Sequence, residues 1–229
     1  MIVAIDGPAG SGKSTVARAL AKREHLTYLD TGAMYRAVTF AALERGVDLH
    51  DPEAVGQLAW ALDVVLTPGE NGETVTVDGQ DVTAQIRTPE VDANVSAVAA
   101  VPAVREAMLV LQRRAAETDD VVAEGRDIGT VVFPNAEVKV FLSADPAARA
   151  RRRAVQRAGG DTATDANATA DAAETSRIEA ELVARDKADS ERATAPLKAA
   201  DDAVRVDSTA LTVDEVCDRI CALIDEARA

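Results

Sequence analysis

A glycine-rich stretch near the start of the chain has the residues of a phosphate-binding loop. Gly7, Gly12, Lys13 and Ser14 fit the pattern G-x-x-x-x-G-K-[ST], between a run typical of a strand and a run typical of a helix. Glycines let the backbone curl around an anion, so that N–H groups and the helix N-terminus point at negative charge. Lys13 can then reach the β and γ phosphates of a nucleotide, and the Ser14 hydroxyl can ligate Mg²⁺. The predicted contacts with ATP are Gly7, Pro8, Ala9, Gly10, Ser11, Gly12, Lys13, Ser14 and Thr15.

The loop predicts a nucleotide but leaves the reaction open, because GTPases, motors and small-molecule kinases all use such a loop. A GTPase would need a base-reading Asn-Lys-x-Asp segment, which does not occur in the sequence. A kinase for a phosphorylated small molecule would need arginines that neutralise the repulsion between two polyanions. A single arginine is more often an exposed helix charge, but several of them beside a phosphate loop favour a binding role. The candidates are Arg36, Arg105, Arg126, Arg185 and Arg192.

Five short apolar runs must supply the strands that hold these residues. They cover residues 2–5, 26–29, 121–123, 138–142 and 204–206. Helical or loop sequence separates each run from the next, and a continuous apolar run is typical of a parallel strand that is covered on both faces. The pattern predicts an α/β fold with a five-stranded parallel sheet flanked by helices.

Four further segments complete the predicted arrangement. Between residues 63 and 83, PGENGE and DGQDV place Asn-Gly and Asp-Gly turns between β-prone runs, which predicts a small antiparallel insertion. Residues 89–117 have a helical pattern with a break at Pro102, since proline removes an amide donor. Residues 159–175 are rich in Ala, Asp and Thr, which predicts a mobile segment or an extended surface loop. A last helix is predicted at about 213–227.

The composition limits the class of protein and its partners. The 229 residues, 47% hydrophobic and 28% charged, are typical of one folded body. The net charge of −14 argues against a nucleic-acid polymer or an anionic membrane as a partner. No apolar run approaches the roughly 18 to 20 residues of a membrane-spanning helix, and no signal peptide is predicted. Cys217 and Cys221, four residues apart on a predicted helix, favour reduced thiols and a cytoplasmic protein. The lack of a clear apolar surface stripe predicts a monomer.

Five stretches, taken in their order along the chain, resemble a known family. They are IDGPAGSGKST, LDTGAMYRA, TPEVDANVSAVAAVPAVREAM, EGRDIGTVVFP and RDKADSERATAPL. They closely resemble the bacterial cytidylate kinases, nucleoside monophosphate kinases that phosphorylate CMP and dCMP with ATP, and the resemblance extends over nearly the whole chain. It implies a P-loop kinase fold with a core domain at residues 1–30, 118–148 and 193–229. It also implies an acceptor domain at residues 31–117, which carries the insertion, and a helical lid segment at residues 149–192.

The resemblance implies a role for each residue of the acceptor site. Arg185 and Asp189 match residues that contact the ribose, and a carboxylate suits a sugar hydroxyl because it accepts hydrogen bonds strongly. Tyr35 matches a residue that lines the acceptor pocket. The residues implied to read the cytosine base are Ser96, Arg105 and Asp127. The implied ligands of the acceptor phosphate are Thr31, Arg36, Arg126 and Arg192.

The resemblance also implies direct in-line transfer between the two nucleotides. No general base is needed, because a phosphate monoester with a second pKa of about 6 is largely anionic at neutral pH. The helix after DPAARA carries Arg149, Arg151, Arg152, Arg153 and Arg157, where related kinases bring arginines over the transferring group. The predicted catalytic residues are Lys13, Arg126, Arg152 and Arg157. Mg²⁺ is predicted on Ser14, with Asp30 through a water, although Asp30 could equally cap the helix that starts near Thr31.

Two alternatives stay open at this point. The first is a kinase of the same fold that acts on another nucleoside monophosphate, such as UMP, because one sequence does not determine the ratio of CMP to UMP. The second belongs to a different class, a nucleotide-dependent switch or a nucleic-acid motor. It predicts ATP or GTP hydrolysis without any acceptor and a basic surface track, which this acidic chain lacks.

Overall fold

The computed structural model describes residues 1–69, 73–158 and 171–229. In chain order the elements are β1 (Ile2–Asp6), α1 (Lys13–Glu24), β2 (Thr27–Asp30), α2 (Thr31–Glu44), α3 (Pro52–Ala61), β3 (Val64–Thr67), β4 (Thr74–Val77), β5 (Gln80–Asp81), α4 (Pro89–Ala100), α5 (Pro102–Arg114), β6 (Val121–Gly125), β7 (Val138–Ser143), α6 (Pro146–Arg157), α7 (Ala172–Glu191), β8 (Val204–Asp207) and α8 (Val213–Arg228). A short 3₁₀ turn spans Gln85–Arg87, and one π-helical turn spans Ile128–Val132.

The main sheet has five strands in the order β2-β6-β1-β7-β8, and every neighbouring pair is parallel. This confirms the predicted five-stranded parallel sheet. Apolar side chains cover both faces: Ala4 packs into one core, and Val3 and Ile5 pack into the other. The loops that follow β1, β2 and β6 therefore meet at one edge, where open α/β sheets bind their ligands.

The helices lie on the two sides of this sheet. Helices α1 and α8 share one core, in which Val16, Leu20 and Ile220 are buried. Helices α2, α3, α4 and α5 contribute to the other core, together with the insertion. The predicted last helix is confirmed, and α8 begins with Thr212 in a capping box with Glu215.

The predicted insertion is a separate antiparallel sheet in the order β3-β4-β5. Its second turn contains Asp78 and Gly79 with φ angles of 51° and 80°, the backbone of an Asp-Gly hairpin turn. Val75 and Val77 are buried in the same core as α2, so the insertion is anchored beside the acceptor helices. Its first turn includes residues 70–72, which lie outside the described residues.

The predicted break at Pro102 is confirmed. Helix α4 ends at Ala100 and α5 starts at Pro102, and the two axes differ by 97°. Val101 has a ψ of 119°, the extended conformation imposed on a residue before proline. In the described part of the chain no single helix is long and apolar enough to cross a membrane, and only this bent pair meets the length and composition of a span.

The prediction of a loop at residues 159–175 is wrong for its C-terminal end. Residues 172–175 form the first turn of α7, and the Asp171 side chain accepts a hydrogen bond from the Ala173 N–H. An aspartate cap and a glutamate in the first turn favour a helix start, which outweighs the absence of large apolar residues. The rest of the predicted loop, residues 159–170, lies outside the described residues.

Candidate active site

The phosphate-loop sequence joins the end of β1 to the start of α1. Gly10 and Gly12 have φ angles of 76° and 92°, which an L side chain adopts only with strain. Gly12 occupies the cap position of α1, and no side chain of the described residues caps this helix start. Helices α2 and α3 differ, because Asp30 and Asp51 cap them. The first N–H groups of α1 therefore remain available to an anion.

Lys13 is buried beside this loop. Its Nζ donates a hydrogen bond to the Pro8 carbonyl at 2.8 Å. Burial and the charge of Arg126 lower the pKa of Lys13 to about 7, whereas Glu124 and Asp6 act in the opposite direction. An anionic phosphate at this position would restore the charged form of the lysine.

Two carboxylates lie at the ends of neighbouring strands next to Lys13. Asp30 accepts from the Ala33 N–H at 3.0 Å and from the Arg87 guanidinium at 3.2 Å, so it does cap α2. Glu124, which sequence reasoning did not single out, is buried at the end of β6 and accepts from the Tyr28 hydroxyl at 2.5 Å. Its place in EGRDIGT, directly after a strand and before a candidate arginine, was the available signal.

Glu73 of the insertion is a third carboxylate in this region. Both of its carboxylate oxygens lie 3.3 Å from the backbone N of Asp30. Burial and the nearby charge of Asp30 raise the pKa of Glu73 to about 8. Nothing in the sequence pattern distinguishes Glu73 from an exposed loop residue, because only the packing of the insertion brings it to Asp30.

The segment after β6 is held by a buried carboxylate from β1. Asp6 accepts hydrogen bonds from the backbone N–H groups of Ile128 and Gly129, both at 2.7 Å. Burial raises the pKa of Asp6 to about 6, although these two N–H groups lower it. The contacts fix the backbone immediately after Arg126 and Asp127, so both side chains start from a rigid position.

All ten predicted acceptor residues line one cavity beside this segment. They come from α2, α4, α5, the segment after β6, α7 and the residue that follows α7. The cavity is lined by Thr31, Gly32, Tyr35, Arg36, Val95, Ser96, Ala99, Arg105, Gly125, Arg126, Asp127, Arg185, Asp189 and Arg192.

Asp127 lies at one end of this acceptor cavity, where it contacts two arginines. It pairs with the buried Arg105, and the Arg192 guanidinium lies 3.5 Å from its other oxygen. Arg105 also donates to the Ala99 carbonyl at 3.2 Å and lies 5.3 Å from the centre of the Tyr35 ring. These contacts fix the direction of each charged group before any ligand binds.

Asp189 organises the other end. It accepts from Arg126 Nε at 2.9 Å and from the Ser96 hydroxyl at 3.3 Å. Burial opposes the charge of Asp189, but Arg126 and Arg185 outweigh it and lower its pKa. Burial together with Arg126 and Arg36 lowers the pKa of Arg185 to about 10. Arg185 Nε is buried without a hydrogen-bond partner among the described residues, so it is available to a ligand.

The acceptor cavity joins a second cavity, which the phosphate loop lines. This donor cavity is lined by Gly10, Gly12, Lys13 and Ser14, and also by Asp30 and Glu124. The residues shared by both cavities are Gly32, Arg36, Gly125, Arg126 and Arg185. Two cavities thus meet at a group of three arginines, an arrangement that can hold two phosphates close together.

Arg151 of α6 is exposed, and the other four arginines of this helix have three different environments. Arg152 and Arg153 line the donor cavity, and Arg152 also donates to the Ser208 carbonyl at 2.6 Å. Arg149 donates to the Ala9 carbonyl at 3.0 Å and pairs with Asp186, so it supports the phosphate loop from outside. Within the described residues Arg157 lines neither nucleotide cavity; it pairs with Glu181 at 3.0 Å.

Comparisons with known proteins agree with this geometry. A family model described as cytidylate kinase matches residues 3–226. The chain is 48% identical to a cytidylate kinase of Exiguobacterium sibiricum over 98% of its own length and 97% of the relative. It is 46% identical to a cytidylate kinase of Streptomyces avermitilis over 100% of this chain and 94% of the relative. A solved structure of an uncharacterized protein from Eubacterium ventriosum, at 15% identity, has the same fold with a TM-score of 0.50 and covers 99% and 98% of the two chains.

Proposed function

Because this chain belongs to the cytidylate kinase family, we propose that it transfers the γ-phosphoryl group of ATP to the phosphate of CMP or dCMP. The products are ADP and CDP or dCDP. The observation that carries the proposal is the junction of the donor and acceptor cavities at Arg36, Arg126 and Arg185. A switch or a motor has no need of a second anion site beside the phosphate loop.

The donor is ATP, held mainly by the backbone of residues 7–15. The uncapped start of α1 supports this assignment, because its free N–H groups and the helix dipole favour an anion. Lys13 lies beside the loop and would contact the β and γ phosphates. Arg149 and Asp186 hold Ala9 from both its carbonyl and its N–H, which keeps the loop in shape between reaction cycles.

The oxygen groups beside the donor cavity fit Mg²⁺. Ser14, Asp30 and Glu124 all line this cavity, and hydroxyl and carboxylate oxygens are the ligands that Mg²⁺ prefers. The described residues contain no cluster of three or more metal-binding side chains, which suits an ion that is held largely by substrate phosphates and water. When bound, the ion would neutralise charge on the donor oxygens. We propose that Ser14 holds it, with Asp30 and Glu124 acting through water.

The acceptor cavity supports recognition of cytosine. The exocyclic amine of cytosine is a donor, so it suits the carboxylate of Asp127, whereas N3 and O2 are acceptors and suit Arg105 and Ser96. Arg185 and Asp189 are assigned to the sugar. The proposed ligands of the acceptor phosphate are Thr31, Arg36, Arg126 and Arg192, with Tyr35 against the nucleoside.

The reaction is a direct displacement. An oxygen of the acceptor phosphate forms a bond to the γ-phosphorus as the bond to the β–γ bridging oxygen breaks and ADP leaves. Lys13, Arg126 and Arg152 would stabilise the charge that is spread over the transferring group. Arg157 remains a predicted catalytic residue, and it would have to release Glu181 to take part.

We also propose the division into a core domain, an acceptor domain and a lid that the resemblance implies. The separate sheet β3–β4–β5 supports an acceptor domain at residues 31–117, and the packing of α6 on α7 supports a lid at residues 149–192. The buried free thiols of Cys217 and Cys221 support a reducing, cytoplasmic environment.

A single assay tests the proposal. ADP formation from Mg-ATP is measured with CMP, dCMP, UMP, AMP and no acceptor. We expect turnover that depends on CMP or dCMP and a much slower reaction with AMP. Equal turnover with and without CMP would contradict phosphoryl transfer to CMP. Faster turnover with UMP than with CMP would mean that the acceptor site selects uracil and not cytosine.

A further inference from the structure

Asp92 brings together arginines from three different helices. It lies in the first turn of α4, and its side chain is 12% exposed. One carboxylate oxygen accepts from Arg36 of α2, and the other accepts from Arg153 of α6. Arg185 of α7 lies 3.9 Å away. Through these ion pairs Asp92 connects the acceptor helices α2 and α4 with the lid helices α6 and α7.

Two of these arginines belong to the junction between the two nucleotide cavities, whereas Asp92 lines neither cavity. Arg36 and Arg185 line both cavities, and Arg153 lines the donor cavity. Asp92 lines a neighbouring cleft between α4, α6 and α7. The carboxylate thus contacts the arginines without occupying either cavity.

The charge of Asp92 is maintained by its partners. Burial opposes ionisation, but Arg36 and Arg153 outweigh it and lower the pKa of Asp92. The two carboxylates that line the acceptor cavity are already engaged, Asp127 with Arg105 and Asp189 with Arg126. Asp92 is consequently the counter-ion that faces Arg36 and Arg153.

We propose that Asp92 is a positioning residue for phosphoryl transfer. Its carboxylate contacts both Arg36, which is assigned above to the acceptor phosphate, and Arg153 on the lid helix. It thereby fixes the position of one guanidinium group relative to the other. Arg36 is fixed from a second direction by the Ile86 carbonyl, which accepts from its Nη1 at 3.1 Å, so Asp92 determines where Arg153 lies relative to a fixed group. In-line transfer depends on such alignment. This inference rests on the proposed function.

The test is a double-mutant cycle on Asp92 and Arg153. Asp92→Asn keeps the shape and removes the charge, and Arg153→Met removes the guanidinium. We expect Asp92→Asn to lower kcat about ten-fold with no rise in the KM for CMP. The double variant should lose no more activity than the more damaged single variant. Asp92→Glu should recover most of kcat. Glu90→Gln, an exposed carboxylate in the same turn, is the matched control and should behave as the wild type.

Several outcomes would overturn the inference. If the loss of kcat in the double variant equals the product of the losses in the two single variants, Asp92 does not act through Arg153. A lower KM for CMP with unchanged kcat would make Asp92 a competitor of the acceptor phosphate rather than a positioning residue. If Asp92→Asn does not fold, Arg153→Met alone decides, because wild-type kcat in that variant overturns the inference. A wild-type chain without CMP-dependent ADP formation would instead contradict the proposed function.

Discussion

The donor cavity and the acceptor cavity adjoin, yet they are built in different ways. The donor cavity combines one short loop, whose backbone is turned by Gly10 and Gly12, with side chains from other elements such as Glu124 of β6 and Arg152 of α6. The acceptor cavity draws its side chains from helices that are distant in sequence, for instance Arg36 of α2, Arg105 of α5 and Asp189 of α7. A phosphate chain, which is common to many ligands, needs only N–H groups and charge, whereas a base must be read by side chains.

The two cavities also balance charge differently. In the acceptor cavity Arg105 pairs with Asp127, and Arg126 pairs with Asp189. Both carboxylates of this cavity are therefore engaged before substrate binds, while its five arginines leave it with an excess of positive charge. In the donor cavity Lys13 is held by a carbonyl, and burial lowers its pKa. Binding of an anion should thus change the electrostatics of the donor side more than those of the acceptor side.

The largest expected effect tests the donor side. Lys13→Met removes the ammonium and keeps most of the packing, so we expect kcat to fall about a thousand-fold while CMP affinity stays within about two-fold. ADP formation and calorimetric titration with CMP measure the two quantities. Lys22→Met, an exposed lysine on the same helix, is the control. A loss of less than about ten-fold would show that the backbone alone carries donor catalysis.

A second experiment tests the charge balance of the acceptor side. The lowered pKa of Asp189 means that its ionised form stabilises the fold above the ordinary carboxyl pKa and that this stabilisation is lost as pH falls through the lowered value. Asp189→Asn should lower the free energy of unfolding by about 3 kcal/mol at neutral pH, because Arg126 loses its partner.

Urea unfolding at several pH values measures this difference. This difference should shrink as pH falls through the lowered pKa of Asp189, because the wild-type carboxyl then also becomes neutral. Asp202→Asn removes an exposed partner of Lys139 and should leave the free energy of unfolding unchanged within error. A difference for Asp189→Asn that is independent of pH would mean that its cause is packing and not charge.

The smallest expected effect concerns the base. Asp127→Asn replaces an acceptor by a group that can also donate, so it should suit O4 of uracil better than the amine of cytosine. We expect the ratio of kcat/KM for CMP over UMP to fall about ten-fold, with the KM for ATP unchanged. Competition assays with both monophosphates measure the ratio. If the preference for CMP over UMP is unchanged in this variant, Asp127 does not take part in base recognition.

The sequence predicts local features of this molecule well. The strand and helix on either side of the glycine-rich loop, the five strands of the sheet and the break at Pro102 depend on neighbouring residues, and the structure confirms them. The ten acceptor residues were assigned by resemblance, and they line one cavity; their individual roles remain predictions.

Contacts between distant helices were not predictable in this way. Asp92 has the position of an ordinary acidic residue in a first helical turn, and only the approach of α2 and α6 makes it a counter-ion. Arg157 follows Arg153 by one helical turn, yet Glu181 of α7 binds it at the cleft. Helical spacing shows which residues share a face, but it does not show what packs against that face.

The order of the sheet has a consequence for synthesis on the ribosome. Strand β1 lies between β6 and β7, so Ile2 pairs with Val121 and Val3 pairs with Val138. The phosphate loop leaves the ribosome well before the two strands that hold it, because β6 and β7 lie far along the chain from β1. A nascent chain should therefore gain the ability to bind ATP only after β6 and β7 have been translated, because folding of the sheet must wait for these long-range pairings.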